Sequence, residues 1–176
     1  MPGRDVATTE SPGPVAGYFA RTERYSTRRL VVEMGLVPFP LKFVLGLLYQ
    51  VLGGQTAEST TDALAKSGPF VLVVGALVIA PLLETIIGQW VPILIASLFT
   101  RSVPALVLVS AFLFSLEHVH VGVSGILTAL PPGIFLSWCF LLGRRRSRWR
   151  AYWTTSAAHA VHNACALLLY ACVRGP

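Results

Sequence analysis

"PFVLVVGALVIAPLLETIIGQWVPILIASLFT", residues 69–100, is an apolar run with one charged side chain, Glu84. At about 1.5 Å per residue, a helix of this length exceeds the roughly 30 Å hydrocarbon core of a bilayer. Pro81 interrupts it three residues before Glu84. The run therefore reads as a kinked span, or as a span followed by a shallow helix. A carboxylate at mid-bilayer costs about 2.5–3.5 kcal/mol, so it belongs inside a bundle with polar company. The nearest basic residues in sequence, Lys66 and Arg101, lie beyond the two ends of the run. The partners of Glu84 must come from elsewhere in the chain.

Composition supports the same setting. The chain has 176 residues, 54% of them hydrophobic and 12% charged, with a mean hydropathy of +0.65. A soluble domain carries about 25% charged residues. The expected fold is all-α, a polytopic transmembrane helical bundle of about five spans. Cys139, Cys165 and Cys172 all lie in apolar runs, and an odd count there argues against a disulfide framework. They read as small hydrophobic residues.

Residues 1–36 read as a polar cytoplasmic tail ending in Arg21, Arg24, Arg28 and Arg29. The first apolar run begins only near Val37, which suits an uncleaved anchor better than a cleaved signal. Residues 37–68 hold that first span, 37–53, with Lys42 placed to snorkel toward the headgroups. A polar loop carrying Glu58, Asp62 and Lys66 completes this segment. Residues 69–172 form the helical core. After the long run come apolar stretches at 104–121 and 125–142, the second with a candidate break near Pro131, Pro132 and Gly133. The run "GRRRSRWR", 143–150, precedes a last span at 152–172. With about five crossings and the N-terminus inside, the N-terminal arginines, Arg101 and the 144–150 cluster share the cytoplasmic side. That cluster explains itself as a topology determinant touching anionic lipid, and nucleic acid is not an expected partner.

The polar residues inside the apolar segments group together. The third span ends "FSLEH", 114–118, and the last contains "HAVHN", 159–163. All four histidines, His118, His120, His159 and His162, lie in or at the ends of apolar segments. Helical spacing puts Phe114 and His118 on one face, His159 and Asn163 on another, and Thr85 and Gln89 on a third. His162 lies off the His159–Asn163 line and stands in reserve. Gly88, one turn beyond Glu84, is expected to leave open space beside it. Glu117 points about 100° away from His118, which places it at the outer interface or in support of a site residue, and His120 reads as interfacial. Glu84, His118, His159 and Asn163 make a chemically sensible set. Low dielectric makes a carboxylate a better base for taking a proton from water. His118 can hold that water, while His159 and Asn163 can donate to an oxygen on which negative charge develops. The residue types also fit zinc held by Glu84, His118 and His159 with an open fourth position.

In order and spacing these segments resemble the CAAX-prenyl-protease and bacteriocin-processing group of intramembrane proteases, the Abi family. That family reads Pro-x-x-Glu-Glu-x-x-x-Arg, then Phe-x-x-x-His, then His-x-x-x-Asn. Here the three are "PLLETIIGQ", "FSLEH" and "HAVHN". The resemblance covers roughly residues 69 to 172. It implies that Glu84 is the water-activating glutamate and that His118, His159 and Asn163 are the other motif residues. Thr85 stands where the family has its second glutamate and Gln89 where it has arginine, one negative and one positive charge removed together. The exchange reads as a neutral hydrogen-bonded pair replacing an ion pair, supported by Phe114 and His162 around the site.

The resemblance implies an intramembrane endopeptidase of the cell membrane of a bacterium. It would cleave a lipid-anchored or membrane-inserted protein near its membrane end, a C-terminal sorting signal included. Glutamate-activated water without a cofactor is the mechanism the family suggests, with Zn2+ the alternative. A non-catalytic membrane binding or immunity protein using the same polar cavity is the second reading.

Overall fold

The computed structural model describes residues 14–55 and 60–174, and among them every regular element is helical. Residues 1–13 of the N-terminal tail and Glu58 of the polar loop lie outside the described residues. The elements are α1 (Pro14–Thr22), α2 (Thr27–Leu36), α3 (Pro38–Val51), α4 (Thr60–Lys66), α5 (Pro69–Ala96), α6 (Val103–Leu116), α7 (Val123–Arg144) and α8 (Arg148–Arg174).

Residues 14–36 fold onto the core. The Ser26 side chain accepts from the Arg29 amide and caps α2. Leu30 and Met34, one turn apart, bury against α7 and α8. Thr22, at the end of α1, donates its hydroxyl to the Phe19 carbonyl and accepts from Trp138 Nε1 of α7 at 2.8 Å. Phe19 packs edge-on against Trp138 with ring centres 4.8 Å apart. Pro38 then opens α3 at a position where its missing N–H costs little. α2 and α3 together run as one 25-residue apolar helix, Thr27–Val51.

Among the described residues, four helices are long and apolar enough to cross a membrane: Thr27–Val51, α5, α7 and α8. α6, with 14 residues, is shorter, spanning about 21 Å at 1.5 Å per residue. α5 is continuous in its helical hydrogen bonding from Pro69 to Ala96. It continues for 28 residues with two π-helical stretches, Gly75–Ile79 and Thr85–Trp90. α7 likewise continues without a break through Pro131 and Pro132. Gly122, with φ +76°, makes the tight reversal between a short 3-10 turn (Val119–Val121) and α7, a conformation that favours glycine.

The bundle is apolar outside and polar within. Phe43, Leu47, Phe70, Leu108 and Phe112 face outward, while Ser110, Ser137, Thr155, His159 and His162 are buried. That is the arrangement a bilayer selects. A chain of hydroxyls stitches the centre: Ser137 of α7 donates to Ser110 of α6, and Ser110 donates to the Gly88 carbonyl of α5, each at 2.7 Å. The chain is an integral membrane protein.

Candidate active site

The site begins with a backbone irregularity in α5. The Ala80 amide bonds to the Gly75 carbonyl, five residues back, rather than to Ala76. In that register the next donor would be residue 81, which is proline and has none. The Ala76 carbonyl is left without a donor from its own helix. Asn163 of α8 supplies one, its Nδ2 donating to Ala76 at 2.9 Å. The second π stretch repeats the pattern, with Val91 bonded to Ile86 and Pro92 next in line. Proline therefore sets the register that places Glu84 and ties α5 to α8.

Glu84, 27% exposed, faces both catalytic-candidate imidazoles. Its Oε2 lies 3.6 Å from His159 Nε2 and 3.9 Å from His118 Nε2. His118 follows the last turn of α6, and its Nδ1 donates to the Phe114 carbonyl at 3.1 Å. A carbonyl only accepts, so Nδ1 carries the hydrogen and Nε2 presents a lone pair toward Glu84. His159 is 3% exposed, and its Nδ1 has no hydrogen-bond partner among the described residues. Phe114 is the shared wall of both rings, 5.1 Å from the His118 ring and 5.5 Å from His159 between centroids. Glu84, His118, His159 and Asn163 all line one cavity of about 190 Å³ with Ala76, Ala80, Thr128 and Lys42.

The other expected residues sit differently. His162 turns away: its Nδ1 meets the Gly35 carbonyl of α2 at 3.1 Å, and its ring packs edge-on against Phe39. It joins α8 to the N-terminal helices and does not line the cavity. Thr85 and Gln89 are fully buried beside the site, but neither the Thr85 hydroxyl nor the Gln89 amide finds a hydrogen-bond partner among the described residues. They are not the bonded neutral pair that their spacing implies. The i→i+5 register of Thr85–Trp90 alters the one-turn alignment expected of an α-helix. Nor does Gly88 leave open space. A Cβ there would stand 2.7 Å from the Phe114 ring and 3.0 Å from Glu117 Oε1, so Gly88 permits close packing of α5 on α6.

Of the two places expected for Glu117, the outer interface and the support of a site residue, the structure shows the carboxyl against α5 at Gly88, beside Phe114. Lys42, expected to be able to snorkel toward the headgroups, lines the polar cavity. Its position a few residues into an apolar helix fits either direction, so no sequence signal separated them.

For metal chemistry, oxygen and nitrogen ligands at about 2.0–2.2 Å from zinc would bring these three side chains to roughly 3.3 Å of one another. The observed separations are 3.6 and 3.9 Å. Among the described residues no group of three His, Cys, Asp or Glu has the geometry to hold a metal ion.

A carboxylate flanked by two imidazoles and a carboxamide, brought from three helices into one membrane-embedded cavity, has the parts of a hydrolytic centre. The chain belongs to the type II CAAX prenyl endopeptidase Rce1-like family, whose model matches residues 66–165. Membership makes it a CAAX-type intramembrane endopeptidase, working in the bilayer on membrane or lipidated proteins. No curated protein and no solved structure gives a significant match. The match includes Glu84, His118, His159 and Asn163 and leaves out Lys42.

Proposed function

We propose that this endopeptidase cleaves a lipid-anchored or membrane-inserted protein near its membrane end, such as a C-terminal sorting signal, using water activated by Glu84. The observation that carries this reading is the convergence of His118 and His159 on one oxygen of Glu84, 3.9 and 3.6 Å away. Two acceptors at that spacing suit a bridging water, which donates one hydrogen to Glu84 and one to His118 Nε2. Its lone pair is then free to attack the scissile carbonyl carbon. Glu84 takes the proton as the C–O bond forms, and passes it to the amine nitrogen as the C–N bond breaks. His159, donating from Nε2, and the second N–H of Asn163 stabilise the oxyanion.

The glutamate mechanism is preferred over zinc because it is the mechanism that the family resemblance implies, the residue types themselves suiting both. For localisation we propose the inner membrane of a bacterium with the N-terminus in the cytoplasm. In support, Arg145 pairs with Glu23 at 3.0 Å and Arg150 bonds Thr27, which gathers the N-terminal arginines and the 144–150 cluster at one end of the bundle.

One observation favours a second reading, a membrane binding or immunity protein: buried Thr85 and Gln89 replace the charged pair of the relatives. Glu84→Gln in the full-length protein separates the two. Hydrolysis of a farnesylated peptide in lipid nanodiscs should fall by about 10²–10⁴ while peptide binding persists. No cleavage by the wild type, with binding intact in both forms, would establish the second reading instead.

A further inference from the structure

Lys42 belongs to α3, outside the family-matched residues, yet it shares the cavity of Glu84, His118, His159 and Asn163. It also lines a second, larger space of about 420 Å³ between α3 and α8, walled by Phe39, Phe43, Leu47, Leu169 and Val173. The two spaces meet at Lys42, Thr61, Thr128 and Ala166. Phe43, Leu47 and Val173 are 55%, 53% and 76% exposed, so the larger space is an apolar groove open sideways to hydrocarbon. Among the described residues the Lys42 ammonium makes no hydrogen bond, and no ion pair within 4.0 Å. Asp62, on the groove wall, has interactions of its own.

A lysine held at membrane depth is expensive unless an anion meets it. Glu84 is the acidic residue in its cavity and its charge acts on the ammonium across that space, but the carboxylate faces the two histidines and makes no ion pair with Lys42 within 4.0 Å. A direct contact is left for an anion carried in by the substrate. We propose that Lys42 is a specificity-determining residue that binds the free carboxylate of a substrate's C-terminus. The scissile bond then lies at Glu84, and the carboxylate a short way downstream at the junction with the apolar groove. The groove takes the apolar side chains of the departing segment. Such a contact makes cleavage depend on a free terminus at a fixed, short distance from the reacting carbonyl. The proposal rests on the endopeptidase reading for its scissile bond.

The test uses the full chain with Glu84→Gln, in nanodiscs of neutral lipid, and reads binding by fluorescence anisotropy. The probes are a fluorescent peptide with a farnesylated cysteine and three apolar residues ending in a free carboxylate, and the same peptide ending in a carboxamide. The acid should bind at least about tenfold more tightly than the amide, as a charge-assisted contact in low dielectric requires. Lys42→Met should reduce that ratio to near one, and Lys42→Arg should keep most of it. Equal binding of acid and amide, binding of neither, or a ratio unmoved by Lys42→Met overturns the proposal. So does a Lys42 effect seen only in nanodiscs of anionic lipid, which would assign the ammonium to a headgroup. Hydrolysis by the unsubstituted protein is scored separately. A preserved acid preference without hydrolysis removes the endopeptidase reading, whereas hydrolysis without acid preference removes only the role of Lys42.

Discussion

The carboxamide of Asn163 donates to the carbonyl of Ala76 at 2.9 Å, filling a bond that the π register and Pro81 together leave open. The contact fastens the helix of His159 to the helix of Glu84. Asn163→Ala should therefore destabilise the protein by about 1 kcal/mol and lower activity by about 10². Adding Pro81→Ala returns an N–H to residue 81, so Ala76 regains a donor within its own helix. The double variant should recover thermal stability in detergent without recovering hydrolysis. A double variant no more stable than Asn163→Ala alone would refute this account of the proline.

Phe114 touches both imidazoles with one ring and is 1% exposed. Phe114→Ala should cost about 3–5 kcal/mol, as large deletions in a packed interior do. Phe114→Leu keeps most of the volume and should cost only about 1 kcal/mol. It nevertheless removes the flat wall that orients His118 and His159, so kcat should drop by about tenfold with KM nearly unchanged. Equal losses of stability and of kcat in the two variants would show that the ring serves packing alone.

The apolar runs and the three motifs made much of this molecule legible. Length and hydropathy fix the helices at 69–96, 123–144 and 148–174 to within a few residues, because a bilayer demands long uninterrupted hydrogen-bonded segments. Order and spacing bring Glu84, His118, His159 and Asn163 together. The π register was not legible, since it needs both Pro81 and a carboxamide from a helix some eighty residues away in the chain. Residues 14–36 were also obscured. Their arginines dominate the composition, while the packing lies in Tyr18, Phe19, Leu30 and Met34, too short a series to show a clear period. Lys42 shows the same limit from the other side. A cation near a helix end has two polar refuges, headgroup and cavity, and only the neighbouring helices decide between them.

Chelation tests the choice of mechanism. If Glu84 acts without zinc, a strong chelator such as 1,10-phenanthroline leaves hydrolysis within about twofold of the untreated enzyme, since no bound ion polarises the carbonyl or the water. Metal analysis of the purified protein should show zinc far below one equivalent. Loss of activity on chelation, with recovery on adding zinc, would assign Glu84, His118 and His159 as ligands instead.

Thr85 and Gln89, which we propose stand in for the family's second glutamate and its arginine, are both fully buried and neither is hydrogen-bonded among the described residues. Restoring one charge alone should be severe, because a buried unpaired charge costs about 3–5 kcal/mol. Thr85→Glu and Gln89→Arg should each lower thermal stability by that order. Together they can pair, and the double variant should recover part of the loss through a coupling energy of about 1–3 kcal/mol. The hydroxyl and amide now present carry no hydrogen bond to lose, so Thr85→Val with Gln89→Met should be neutral or slightly stabilising. A full cycle of unfolding measurements in detergent decides the matter. Additive single losses would mean that the two positions no longer face each other, and a costly Val/Met double variant would mean that the present polar pair is bonded after all.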